Sequence, residues 1–429
     1  SFPHVASDSA FVDWPITYDD LAPFYDEAES RLGVVGVAGI DPNEPPRDSD
    51  YCGAPPPFAS PAQRMADAAT ALGLRPFPIP LAINFEGNGS THHNRNGNSA
   101  KCIKCLTCDL YPCKIGAKND ISLTILPQAV EHGAVIRDRQ MVTKLVRTGR
   151  RITGVQCVDL RTSEATTIHS DLVVVSGGAI ASPALLLASG LGDVGPNGRL
   201  IGRYLMRHCS GIVVGFYRSK TNPELQFHKQ IAITDYYFGD ANNGKPAEPW
   251  GMIQGLQVPP PEFMQTTPFP INVVGPVSSK FNIFLMCIAE DMPRFENHVS
   301  LHTTDRDQYG QPIARVRYHN HKDDTRRRGW LYKKAVKLQR KAGAFAWVRL
   351  PVTTFSHAMG TCRMGSDPKE AVLDPNCNFF GIPNLFVVDS SFMPTSGGVN
   401  PSLTIAAQGL RVGTHIAEHW DVITNANAK

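Results

Sequence analysis

Between Asp171 and Asp193 the chain carries no charged residue. A stretch of that length forces a choice, because about 20 apolar residues suffice for a membrane-spanning helix. Its own residues decide against a span. Val173-Val174-Val175 after Leu172 is β-branched, Gly177-Gly178 follow, and Pro183 stands inside the remainder. The stretch reads as a buried strand, a glycine turn and the start of a helix. Such a layout lets a backbone approach a phosphate or ring system, although a plain strand-to-helix turn has the same outline. An α/β fold with no membrane span is the expectation.

The remaining composition narrows the class. Lysine plus arginine (42) nearly balance aspartate plus glutamate (39), leaving a formal charge of +3. That gives no electrostatic ground for a nucleic-acid partner. With 42% hydrophobic and 19% charged residues the chain is globular, and 429 residues allow two or three domains. Ser1 to Asp13 lacks a basic start followed by an apolar stretch, so no secretory leader is expected there. The location expected is cytoplasmic, with the periplasm as the alternative.

Along the chain, Asp13 to Leu21 leads into a helix through Glu29, with Thr17 or Asp19 as its cap. Pro42 to Pro61 and Phe85 to Ala100 read as long loops, and Asn119 to His132 as a helix. Strands are expected at Ala134 to Val146, Ile152 to Leu160 and Thr166 to Val175, with Gly149-Arg150 turning a hairpin. From Gly211 the pattern changes to short β-rich runs between proline-rich loops, which predicts an antiparallel sheet. A basic helix follows at Asp323 to Gly343, and Arg326-Arg327-Arg328 at its start reads as a solvated face. The expected division is therefore 1–210, 211–352 as the second domain, and 353–429 returning to the first.

Two glycine-rich loops hold the candidate chemistry. His357 sits in Phe355-Ser356-His357-Ala358-Met359-Gly360-Thr361-Cys362, and Asn400-Pro401 closes a loop that begins at Asp389 and precedes the last helix. A lone histidine is more often structural. A histidine and an asparagine on loops bracketing one strand can converge on one pocket, where imidazole takes a hydroxyl proton and the amide holds the alkoxide.

Together with Asp13-Trp14-Pro15, the Ser176 to Pro183 turn and Gly202-Arg203-Tyr204-Leu205-Met206-Arg207-His208, these loops resemble the glucose–methanol–choline family of flavin oxidoreductases. The resemblance runs from residue 13 to residue 401. It implies a Rossmann-like FAD-binding domain and a substrate domain of antiparallel sheet and helices. It also implies oxidation of a CH–OH group by hydride transfer to flavin. His357 matches the family's base, and Asn400 its second active-site residue, which is His in other members; the His–Asn pair is similar to pyranose 2-oxidases. Val142, Ala179, Ile180, Asp389, Pro401 and Ser402 match positions that touch the FAD. The substrate implied is a sugar or glycoside, with oxygen or an external acceptor taking the electrons. The strand, Gly-x-Gly-x-x-Gly and helix with which that family opens is missing ahead of Asp13. A longer polypeptide or a separate subunit is expected to supply it, and a homo-oligomer is a further expectation.

Four of the ten cysteines, Cys102, Cys105, Cys108 and Cys113, fall within the loop 102–118. Their spacing is close to that of ferredoxin loops, although the last gap is one residue too long. It resembles the patch that carries an iron–sulfur cluster in heteromeric FAD-dependent glucose dehydrogenases, with Cys102, Cys108 and Cys113 as the matching three. Reduced thiols or local disulfides are the expectation, with a cluster or zinc as alternatives. A rival function follows from the same loop: an electron-transfer or binding subunit without its own flavin.

Overall fold

The computed structural model describes residues 10–86, 100–109, 111–240, 248–266, 269 and 271–425. Most of the loop read at Phe85 to Ala100, and the first nine residues, lie outside the described residues. Helix α1, Tyr18–Leu32, starts at Thr17, whose side chain accepts from the Asp20 backbone at 3.3 Å. The Asp20 carboxylate takes the Thr17 backbone N–H in return at 2.7 Å, which closes a capping box. Gly33 ends the helix at φ 63°, a left-handed conformation that glycine adopts without strain.

Six strands form one antiparallel sheet: β1 (Phe77–Pro78), β6 (Gly211–Phe216), β7 (Ile231–Ile233), β8 (Gly251–Leu256), β9 (Asn282–Ala289) and β12 (Ala346–Pro351). Their order is β1-β7-β8-β9-β6-β12, so the sheet takes in Phe77–Pro78 from the front of the chain. Helix α4, Lys322–Lys341, lies on it and buries Leu331, Ala335 and Leu338 against Val213, Leu285 and Cys287. Helix α2, Ser60–Thr70, packs on the same core through Met65 and Ala69. Gln339 of α4 is wholly buried and fully engaged. It donates to the Val213 and Ile283 carbonyls and accepts from the Tyr217 hydroxyl at 2.5 Å.

The second layer is smaller. Strands β2 (Gln140–Thr148), β3 (Arg151–Asp159) and β4 (Ala165–His169) form a meander, with the hairpin turning at Gly149-Arg150 as its sequence predicts. Strand β5 (Val173–Val175) pairs in parallel with β13 (Leu385–Val387), and helix α3 (Gly178–Ala188) follows β5 through the glycine turn. Strands β10 (His298–Arg306) and β11 (Pro312–Arg317) make a separate hairpin. The last long helix is α5, Ser402–Glu418. The core here joins Leu186, Leu191, Met206, Met359, Phe386 and Phe392.

Three local readings are corrected. The run read as one strand from Thr166 to Val175 is two strands in different sheets, broken at Ser170–Leu172. The helix read at Asn119 to His132 is two short ones, Ile121–Thr124 and Leu126–Glu131, because Pro127 can only open a new helical turn. Arg327 is buried rather than solvated: it pairs with Asp324 one turn back and, at 3.4 Å, with Glu248. Among the described residues no helix is long and apolar enough to cross a membrane.

Candidate active site

Four segments meet around the His357 loop, and main-chain hydrogen bonds hold them. Met206 and Met359 exchange N–H to carbonyl bonds at 2.9 Å, and Gly202 donates to Thr361 at 2.7 Å. The loop then donates onward to the stretch after β13: Gly360 to Ser390, Cys362 to Ser391, and Met364 to Phe392. Thr361 Oγ1 donates to the Ala179 carbonyl at 2.7 Å, so the loop also touches the start of α3. Gly360 has φ 90° and a Cβ there would lie 2.7 Å from the Tyr204 carbonyl, so glycine is required.

His357 is half-buried, and its Nδ1 lies 2.9 Å from Nδ1 of His208. Burial, helped by the Lys229 charge, lowers its pKa, so the ring is neutral at pH 7. His208 is fully buried, and Nε2 of that ring lies 3.0 Å from the Ser396 carbonyl. Burial, together with the neighbouring His357, pushes its pKa down to about 3. Ser396 is itself fixed, accepting from the Asp291 N–H at 2.9 Å and donating to the Asp291 carbonyl at 3.0 Å.

Asn400 lies at the end of the same Ser396 loop. Its sequence position suggests a helix cap, but the N-cap of α5 is Pro401, with no side-chain cap. The Asn400 amide instead donates to Gln254 Oε1 at 3.1 Å, across to β8 of the six-stranded sheet. Asn400, Ser402 and Leu403 line a cleft of about 620 Å³, together with Tyr25, Tyr237 and Met252. His357 is not among the lining residues of that cleft, and His208 and Ser396 connect its side chain to the Asn400 loop.

The other residues expected to meet FAD fall into groups. Ala179 and Ile180 open α3, and Asp389 closes over the same turn. Its carboxylate accepts from Gly178 N at 2.9 Å, from Ser182 Oγ at 2.5 Å and from Ser391 N at 2.8 Å, which latches β13 to α3. Pro401 and Ser402 belong to the Asn400 group. Val142 stands apart from both, half-exposed on β2 beside a register shift.

The residues fit one end of a flavin. The uncapped first turn of α5 opens on the cleft, and free N–H groups at a helix start favour a negatively charged ligand. They do not supply a pyrophosphate cradle. The chain's single Gly-x-Gly-x-x-Gly string, Gly190 to Gly195, follows helix α3 and runs through a 3-10 turn at Leu191–Asp193, not from a strand into a helix.

In the cysteine loop all four thiols are unpaired, as are the other six. Burial pushes the Cys108 thiol up to about 12 and raises Cys102, while the Thr107 hydroxyl at 3.2 Å lowers Cys105. Among the described residues no group of three or more His, Cys, Asp or Glu side chains is placed to hold a metal ion.

Sequence reasoning assigned no role to two residues in contact with the pair. His208 closes the Gly202 to His208 motif, directly after Arg207, and nothing in its immediate sequence marks it out. Gln254 is a lone amide inside a buried strand, which is unusual enough to be noticed.

Residues 84–210 and 293–409 match family models described as GMC oxidoreductase. The chain is 32% identical to 6'''-hydroxyparomomycin C oxidase of Streptomyces lividus, over 97% of this chain and 74% of that protein. Paromamine 6'-oxidase of Streptomyces fradiae is also 32% identical, over 95% and 72%. 2-Methyl-1,2-propanediol dehydrogenase of Mycolicibacterium austroafricanum is 29% identical, over 96% and 76%. Among solved structures, pyridoxine 4-oxidase from Mesorbium loti superposes with a TM-score of 0.57 at 18% identity, covering 94% of this chain and 77% of that one. That likeness concerns the fold. The chain belongs to the GMC oxidoreductase family, and is an oxidoreductase.

Proposed function

We propose that this chain oxidises a hydroxyl group of a sugar or glycoside to a carbonyl, with FAD as the hydride acceptor. The observation that carries the reading is the link His357–His208–Ser396, which fixes the His357 loop to the loop ending in Asn400. His357 is neutral at pH 7 and so can take the hydroxyl proton. The Asn400 amide, steadied by Gln254, keeps one N–H free to hold the oxygen as charge develops on it. When bound, FAD supplies the acceptor for the carbinol hydride. The first turn of α5 and the α3 turn latched by Asp389 are the parts of this chain that would hold it. A strand–glycine–helix unit outside these residues, on the same polypeptide or a partner, would seat its pyrophosphate.

The sugar and glycoside assignment draws on the two relatives named for aminoglycoside oxidation. The cysteine loop we read as a thiol-rich structural element. The test is anaerobic titration of the full-length protein with paromamine and, separately, with 2-methyl-1,2-propanediol. Bleaching of a flavin spectrum by paromamine supports the reading. Bleaching by the diol alone moves the substrate class to small alcohols, and a colourless protein defeats the proposal.

A further inference from the structure

We propose that His208 is a positioning residue that sets the tautomer of His357, leaving Nε2 of His357 as the bare nitrogen that receives the hydroxyl proton. The assignment follows from donor and acceptor bookkeeping along one line of contacts. A backbone carbonyl can only accept, so the 3.0 Å contact from His208 Nε2 to the Ser396 carbonyl requires a proton on Nε2. A ring buried this completely is neutral, so Nδ1 of His208 then carries a lone pair and no proton. The 2.9 Å contact between the two Nδ1 atoms therefore has His357 as donor. With its one proton held on Nδ1, neutral His357 has only Nε2 to offer as a base.

The surrounding structure holds this arrangement at a cost. His208 has φ 62°, in the left-handed region that few non-glycine residues occupy, histidine more often than most. Arg207 immediately before it anchors the approach to His357, donating to the Val352 carbonyl at 2.9 Å and the Thr354 carbonyl at 3.2 Å. Its own N–H is taken by Asp291 at 2.9 Å, and Asp291 also bonds Ser396. The residue before His208 and the residue that holds its Nε2 are thus both fixed to Asp291, just after β9. The two rings meet edge to face with planes 88° apart, which aims one nitrogen at the other.

The chemical step rests on the proposed function. The hydroxyl O–H bond breaks and an Nε2–H bond forms on His357, giving an imidazolium. The Nδ1 proton stays where it was, and FAD, when bound, would supply the acceptor for the carbinol hydride. His208 neither gains nor loses a proton.

The test is NMR of histidine imidazoles in the full-length protein labelled with 15N-histidine, with His208→Asn and His208→Leu for comparison. Asparagine keeps an acceptor at the Nδ1 position and tolerates the left-handed backbone; leucine keeps bulk and removes the acceptor. In the wild type, His357 should show a protonated Nδ1 and a bare Nε2, and His208 the reverse. His208→Leu should release His357 to the other tautomer and lower kcat for paromamine by about 10–100-fold with KM little changed. His208→Asn should restore the tautomer and most of kcat. A wild-type His357 protonated on Nε2 overturns the proposal, even if the leucine variant does not fold. So does an equal loss of kcat in both variants with the His357 signals unmoved. Failure of paromamine to reduce the flavin defeats the substrate reading instead, and the wild-type tautomer still decides this one.

Discussion

The six-stranded sheet and the β5/β13 pair are both strand layers, yet the means that hold them differ in part. In the sheet, the central strands β6 and β9 and helix α4 exclude water from Val213, Leu285, Cys287 and Leu331, all nearly inaccessible. In the parallel pair three residues meet three, and Val174 keeps 44% of its surface exposed. The second region packs Leu385, Phe386, Val387 and Phe392 into its own core, and adds the ladder of main-chain bonds among the loops and a few buried polar side chains, Asp389, Ser396 and His208. The sheet is a frame and the loops a site; both regions are stabilised by packing, and the loops at the site are held by hydrogen bonds as well. Changes in the first should act on folding, and changes in the second on chemistry.

The strongest way to break that contrast is His357→Ala. Loss of a general base should slow flavin reduction by about 10²–10⁴-fold, while the melting temperature of this half-buried position barely moves. Single-turnover reduction beside a thermal melt checks both halves of the statement. A melt that collapses with the rate would make His357 part of the frame. Leu331→Ala is the mirror experiment. Truncating a side chain with no exposed surface should cost about 2–5 kcal/mol in urea unfolding. The reduction rate of the folded fraction should be unchanged.

Glu290 stands where frame and site meet, at the end of β9 and against the backbone of Gly397. Burial pushes its carboxyl up to about 7 from 4.5. A raised carboxyl favours folding while it is protonated, so its contribution is complete below about 4.5 and is lost as pH rises through about 7. The wild type should lose up to about 3 kcal/mol of stability across that window from this group. Glu290→Gln should flatten the slope and be the more stable protein at pH 8, measured by urea titration at each pH. An unchanged slope would mean that Glu290 stays paired and charged.

The smallest effect sharpens the site itself. Asn400→Asp places a carboxylate beside a developing alkoxide and beside Gln254 Oε1, so it should lose about 10²-fold in flavin reduction. Asn400→His can still donate and should lose about tenfold. Equal rates in the two variants would leave Asn400 with no role in holding the oxygen.

Where a fold decision is local, the sequence carries it. The Thr17–Asp20 capping box, the Gly149-Arg150 hairpin and the strand-to-glycine-to-helix run at Val173 are all spelled by neighbours in the chain. Decisions that depend on distant partners are not spelled that way. Thr166 to Val175 looks continuous because nothing in it says that its two halves belong to different sheets. Arg327 looks solvated because Glu248, its second partner, lies far upstream. His357 and Asn400 stand out through their loops, whereas His208 and Gln254 acquire meaning only once folding brings them within 2.9 Å and 3.1 Å of that pair.

The main-chain ladder from Met206 through Thr361 to Phe392 has one more consequence. The side chains on the ladder, such as Met206, Met359 and Phe392, are buried in the core, whereas Val399 and Asn400 at the far end of the loop are exposed and take no part in it. A substitution at the tip of the Asn400 loop can therefore change what the pocket recognises without unfastening the loops beneath it. Such a scaffold is suited to divergence: new substrate preferences can arise by single replacements, each tried on a backbone that has already been assembled.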